Sequence, residues 1–235
     1  MSSSERESKT VTSARDSVPR PRIQTLSDMI FGLALSIGAV AQLSRTPTGL
    51  GDILNALGSF GFAFLILALV WLRYSRIMSV LPVESTRIVA ANMLLLFLVS
   101  VEPYLYNLMT ISAYTPTPPQ LASATTSSLY ALDVGGLMTV IAYFTHEVTI
   151  EERHLIPREL MRTYRIAMYT TAAAAAVFII SVLPIFWSVV VIPSPTVPLR
   201  YIMWCSIFVL NAGRRFDVWM TGRRSRPALT TGPVV

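Results

Sequence analysis

The 235-residue sequence has few charged residues and a single cysteine. Asp, Glu, Lys and Arg make up only 14% of the chain, whereas hydrophobic residues make up 53%. A typical soluble domain has about 25% charged residues, so this composition argues against a soluble enzyme. Gly-rich phosphate loops, His-Glu-x-x-His and Cys-x-x-Cys are missing from the sequence. We therefore predict that the protein is not an enzyme and that it holds no cofactor and no metal ion.

Apolar runs of about 20 residues occupy most of the chain, which is the length that an α-helix needs to cross a bilayer. Helices are the expected structure, because a chain segment in lipid must satisfy its own backbone and the alternation of a membrane barrel is missing. The sequence thus predicts an all-α membrane protein with six transmembrane helices. Their approximate positions are Ile23–Leu43, Ile53–Tyr74, Arg87–Met109, Ser127–Phe144, Ile166–Ile192 and Leu199–Ala212.

The basic residues indicate how the chain is oriented. Of the 19 Lys and Arg residues, all except Arg45 and Arg200 fall in the termini and connections of one side. The positive-inside rule places this side, with both termini, in the cytoplasm. The net charge of +6 is then explained by orientation in the bilayer, and we expect no nucleic-acid partner. We predict a disordered cytoplasmic N-terminus over residues 1–21, a transmembrane domain over 22–215 and a basic cytoplasmic tail over 216–235.

Three carboxylates lie within the apolar segments, where ionisable groups are costly and therefore informative. Asp28 follows Ser27 about one helical turn inside the bilayer. Asp133 lies within the fourth segment, where a structural and a functional role are equally open. Glu102 lies toward the outer end of the third segment, where its side chain could simply reach water. Taken together, the three groups allow one function, a proton-coupled secondary transporter that uses them as relay groups.

The start of the first segment carries a resemblance to a known family. Residues 22–28 read Arg-Ile-Gln-Thr-Leu-Ser-Asp and continue into an aliphatic helix. This stretch resembles the first-helix signature Arg-x-x-x-Phe-Ser-Asp of the transmembrane protein 175 potassium channel family. A weaker resemblance extends over roughly residues 22–215. The chain departs from the family at Leu26, which replaces the signature Phe, and at Tyr74-Ser75, where many members carry a His pair.

The resemblance implies an architecture and a function. Family members with a single six-helix repeat are prokaryotic and form homotetramers, with the first helices surrounding a central pore. The chain would then be a potassium-selective, leak-type channel in the cell membrane of a prokaryote, with potassium as the permeant ion. Arg22, Ser27 and Asp28 would form a polar network near Trp71 that fixes the first helix against the second. Trp71 also fits an interfacial aromatic anchor.

One face of the first helix is the predicted pore lining. At about 100° per residue, Leu33, Ser36, Ile37 and Val40 fall on the same face. Periodicity alone would favour aliphatic side chains that face lipid or a partner helix. The resemblance implies instead that Leu33, Ile37 and Val40 form aliphatic rings that close the pore, because a narrow apolar neck holds water and ions poorly.

Overall fold

The structure is a computed structural model that describes residues 22–43, 49–81, 85–112, 119–150, 155–193 and 196–207. Long helices dominate it, and a short helix and a small hairpin follow the fifth of them. The elements in chain order are α1 (Arg22–Leu43), α2 (Leu50–Met78), α3 (Thr86–Ser112), α4 (Pro119–Thr149), α5 (Arg158–Ile180), α6 (Ile185–Ser188), β1 (Val190–Pro193), β2 (Thr196–Pro198) and α7 (residues 199–207).

Helices α1 to α5 are each long and apolar enough to cross a membrane. The prediction of a mostly helical, multi-pass membrane protein is therefore confirmed. The sixth predicted segment begins as α7, and its remainder lies outside the described residues. The predicted disordered N-terminus and basic tail also lie outside them. The count of six spans thus stays a prediction.

The fifth predicted segment, Ile166–Ile192, does not form one helix. Helix α5 begins eight residues earlier, at Arg158, and ends at Ile180. Pro184 explains this end, because it lacks an N–H and its ring clashes with the carbonyl oxygen four residues before it, which is that of Ile180. The β-branched run that follows α6 favours extended backbone. It forms a two-stranded antiparallel hairpin with β2, so the fold contains a small β element that the sequence analysis did not predict.

Helix α4 is the centre of the subunit and packs along both α3 and α5. In the apolar, membrane-length stretch of α4, 61% is buried inside the subunit, whereas only 17% of the corresponding stretch of α1 is buried. Two adjacent glycines permit this close packing. A Cβ atom on Gly135 would lie 2.8 Å from Cγ1 of Ile179, and one on Gly136 would lie 3.0 Å from Cδ1 of Leu98. The two glycines therefore set the distance from α4 to both of its neighbours.

Arg200 connects the end of α5 to α4 from the start of α7. The sequence analysis counted it among the charges of the outer side, but only 1% of its surface is exposed. Its guanidinium lies 5.5 Å from the centre of the Trp187 ring, a cation–π distance. It makes five hydrogen bonds of 2.6–3.2 Å, and all have uncharged acceptors: the carbonyl oxygens of Ala124, Ser181 and Val182 and the hydroxyls of Ser127 and Ser128.

Candidate functional site

The four residues predicted to line a pore are exposed along one side of α1. Leu33, Ile37 and Val40 are 59%, 50% and 64% exposed in the subunit. Ser36 is exposed between them, and its hydroxyl donates a hydrogen bond of 2.8 Å to the carbonyl oxygen of Gly32. This face, which we call the open face of α1, is a mostly apolar strip that the described part of the chain leaves uncovered.

The opposite side of α1 packs into the subunit. Phe31 and Ala34 are buried there, and half-buried Leu35 packs against the same apolar cluster. Gly38 lets α1 approach both neighbouring helices, since a Cβ atom on it would lie 3.6 Å from the Phe60 ring and 3.7 Å from Cβ of Pro103. Because only this side is anchored, the orientation of the open face is determined by contacts with α2 and α3.

The structure brings together part of the polar network that was predicted around Asp28. The indole N–H of Trp71, on α2, donates a hydrogen bond of 2.9 Å to Oδ1 of Asp28 on α1. Ser27 is fully buried, and its hydroxyl donates to the carbonyl oxygen of Ile23. Arg22 begins α1, and its side chain lies outside the described residues. The Asp28–Trp71 contact therefore fixes the start of α1 against α2.

Tyr74 is a network member that the sequence analysis missed. Its hydroxyl lies 2.7 Å from Oγ of Ser27 and 2.9 Å from Oδ1 of Asn92, so that one buried side chain of α2 contacts both α1 and α3. The sequence could have indicated this role, since Tyr74 follows Trp71 by three residues and therefore lies near it on the same helix surface. The amide of Gln24 also donates to the carbonyl oxygen of Met78 at the end of α2. Three helices thus meet in one polar junction.

The other two carboxylates lie deeper in the subunit. Glu102 does not reach water as expected, because it lies on the face of α3 that also buries Val99 and Tyr106. Tyr130 of α4 donates a hydrogen bond of 3.1 Å to Oε1 of Glu102, while Oε2 is buried and has no hydrogen-bond partner among the described residues. Asp133, one turn after Tyr130, is 5% exposed, and in the part of the chain that the structure describes neither of its oxygens has a hydrogen-bond partner. The two carboxyl groups are therefore buried polar groups with unused capacity.

Together, the membrane-length helices, the buried polar junction and the open face define a polytopic helical membrane protein. Comparison with known proteins narrows this class. The family model described as endosomal/lysosomal potassium channel TMEM175 matches residues 22–103. No curated protein matches the chain.

Two solved structures have a similar fold. The first is a lysosomal potassium-selective channel TMEM175 homolog from Chamaesiphon minutus, with 20% sequence identity and a TM-score of 0.51 over 68% of this chain and 87% of that chain. The second is a variant of the potassium channel MtTMEM175 in complex with a nanobody fusion, with 17% identity and a TM-score of 0.52 over 85% of this chain and 94% of that one.

These comparisons confirm the resemblance to the TMEM175 family that the first-helix signature predicted. The matched range spans α1, α2 and most of α3. It therefore includes the open face of α1, the Asp28–Trp71 contact and Glu102. The fold of the chain is that of the bacterial TMEM175 channel structures.

Proposed function

We propose that four copies of this chain form a potassium-selective, leak-type cation channel with the α1 helices around a central pore. The observation that carries the proposal is the open face of α1, which is apolar and uncovered while the opposite side is anchored. The match of residues 22–103 to a potassium channel family favours a pore over a lipid-facing surface. We place the channel in the cell membrane of a prokaryote, with potassium as the permeant ion and no cofactor.

The charge distribution supports an orientation with both termini in the cytoplasm. Arg200 is buried and bound by protein oxygens, so it does not act as a charge of an exposed loop. The asymmetry between the two sides is then larger than the sequence count alone suggests. Because basic residues near the ends of spans determine topology, we propose cytoplasmic termini.

The gate follows from the spacing of the aliphatic residues. Leu33 and Val40 are seven residues apart, which corresponds to about 10 Å along a helix, with Ile37 between them. Four copies of these side chains would form an apolar neck that excludes water and blocks ions by dewetting. Ser36 donates its proton within α1, so its free lone pairs would face the pore and could coordinate a partly dehydrated cation.

The experiment is potassium or thallium flux into vesicles, normalised to the amount of reconstituted tetramer. Leu33→Asn should increase the leak, because each 1.4 kcal/mol removed from the barrier increases the rate about tenfold. The same change at Ile37 and Val40 should act more weakly, if the pore widens outward. Leu35→Asn is the matched control, since Leu35 packs into the subunit and its replacement should impair folding without opening a path. Unchanged flux at Leu33 with a large change at Leu35 would refute the assignment of the pore face.

A proton-coupled secondary transporter is the second candidate, and the unused oxygens of Glu102 and Asp133 favour it. A transporter of this kind needs a proton gradient, and its flux stops in Glu102→Gln or Asp133→Asn. A channel conducts potassium electrogenically down the potassium gradient alone. Asp28 is less suited to a relay, because Trp71 already binds it at the helix contact.

A further inference from the structure

Helix α5 has a line of exposed residues that runs from its first turn into its apolar part. Its members are spaced alternately by four and three residues, which places them within about 80° of one another around the helix. They are Arg158, Arg162, Arg165, Tyr169, Ala172 and Ala176, and all six are exposed. The opposite side of α5 buries Thr171, Ala174, Ala175 and Phe178. The exposed line, which we call the arginine face of α5, is therefore uncovered in the described part of the chain.

The arginine face changes in character along the helix as a lipid does from headgroup to acyl chain. Arg158 and Arg165 are seven residues apart, which corresponds to about 10 Å along the axis. One headgroup region is about 5–8 Å deep, so the arginines cover it. Tyr169, which is 65% exposed, follows one turn later, where an aromatic side chain suits the membrane interface. Ala172 and Ala176 come next, and their small side chains leave room beside the helix.

The charges of this face are complementary to an anion. The positive-inside rule explains why basic residues lie on one side of the bilayer, but it does not explain why they share one helix face. Arg162 lies four residues after Arg158 and three before Arg165, spacings at which like charges destabilise a helix. Arg158 is also in the first turn, where the helix dipole favours an anion. Glu159, the acidic residue of that turn, lies about 100° from Arg158 and so beside the face.

We propose that the arginine face binds one anionic phospholipid of the leaflet on the side that we assign to the cytoplasm. Guanidinium groups bind phosphate oxygens through paired N–H donors, so Arg158 and Arg162 hold the phosphodiester. An acyl chain then lies along Ala172 and Ala176. A soluble phosphate compound would use only the charged part of the face, whereas a lipid uses both parts. This site goes beyond the proposed channel and does not depend on potassium conduction.

Lipid binding is measured by native mass spectrometry of the full protein in detergent, titrated with phosphatidylglycerol or with zwitterionic phosphatidylcholine. Phosphatidylglycerol should bind more tightly. Each basic residue near an anionic membrane surface is worth about fivefold in affinity, so Arg158→Gln combined with Arg162→Gln should weaken this binding by about 30-fold. Arg76→Gln combined with Arg87→Gln, at exposed positions of α2 and α3, is the matched control and should leave the affinity unchanged. Equal losses in the two double variants overturn the proposal, because binding would then follow net charge alone.

The apolar part of the site is tested separately. Ala176→Leu fills the space for the acyl chain and should weaken phosphatidylglycerol binding, whereas Ala90→Leu, at an exposed position of α3, should not. Inorganic phosphate at the same concentration as the lipid should not displace it, and displacement would refute the choice of a lipid over a soluble anion. If Ala176→Leu lowers the oligomer fraction when no lipid is present, a second copy covers the face and the proposal is wrong.

Thermal unfolding shows whether the variants still fold. In micelles without anionic lipid, the double variant at Arg158 and Arg162 should unfold as the original protein does, because both positions are exposed. A ligand that binds only the folded state stabilises it, so phosphatidylglycerol should raise the thermal midpoint of the original protein and not that of the double variant. An equal rise in both proteins refutes binding at the arginine face.

Discussion

Replacement of Arg200 by methionine should destabilise the subunit strongly, although the change removes a charge from an apolar environment. The reason lies in the five uncharged oxygens that the guanidinium binds. Methionine fills similar space and has no donor. The carbonyl oxygens of Ser181 and Val182, at the end of α5, then lose the donor that satisfies them.

The expected loss follows from the number of contacts. Hydrogen bonds inside membrane proteins contribute about 0.6 kcal/mol each on average, so five amount to about 3 kcal/mol. A second way to reach the loss is to count the two buried carbonyl groups that are left without partners. At about 1–3 kcal/mol each, they give a similar loss of stability. Because folded proteins are stable by only about 5–15 kcal/mol, this loss is a large fraction of the whole. Lysine has three donors rather than five, so the free energy of unfolding of Arg200→Lys should lie between those of Arg200→Met and the original protein.

The assay is reversible unfolding in mixed detergent micelles, followed by tryptophan fluorescence. The Trp187 ring lies beside Arg200, and Trp204 donates a hydrogen bond to Ser181, which Arg200 also binds, so the signal reports on this part of the subunit. Arg158→Met, at an exposed position of α5, is the matched control and should change the free energy of unfolding by less than about 0.5 kcal/mol. If Arg200→Met is as stable as the original protein, the contacts of Arg200 do not hold α4, α5 and α7 together, and the reasoning is wrong.

Three further substitutions test the helix contacts. Asp28→Ala should lower the fraction of the proposed tetramer in mild detergent, because the indole N–H of Trp71 on α2 loses its acceptor at the start of α1; an intact tetramer with altered flux would instead place this carboxylate in the permeation path. Tyr74→Phe should lower the free energy of unfolding by about 1–3 kcal/mol, because it leaves buried polar partners unsatisfied, and exposed Tyr104→Phe is the neutral control. Gly135→Ala should separate α4 from α5 and lower the thermal midpoint, whereas Gly58→Ala, with open space around it, should not; equal midpoints would contradict the close packing.

Much of the fold could be predicted because hydropathy is a local property. A span needs only enough consecutive apolar residues, and five such spans are present in the described part of the chain. The anchored side of α1 could also be predicted, since the helical period alone separates Ala34 and Leu35 from the open face. The partner of Asp28 came from the family resemblance, which implied a polar network beside Trp71.

The remaining features depend on contacts between residues that are distant in the sequence. Arg200 looked like a loop charge because its acceptors come from α4 and from the end of α5, which only the folded chain brings together. Glu102 was expected to reach water because no local signal shows which face of α3 meets α4. The break after Ile180 was missed because the apolar run continues through Pro184 to Ile192 without a charged residue. Pro184 ends the helix, and the β-branched residues beyond it form a hairpin instead.

The weak burial of α1 has a consequence for how the protein is made. Helix α1 leaves the ribosome before α2 and α3, and α3, which it packs against, does not begin until Thr86. During that interval α1 must stay in the bilayer by its own hydropathy. Trp71 arrives with α2 and adds its hydrogen bond to Asp28 of α1. We therefore expect the α1–α2 pair to be the first stable intermediate of membrane insertion, onto which the rest of the subunit assembles.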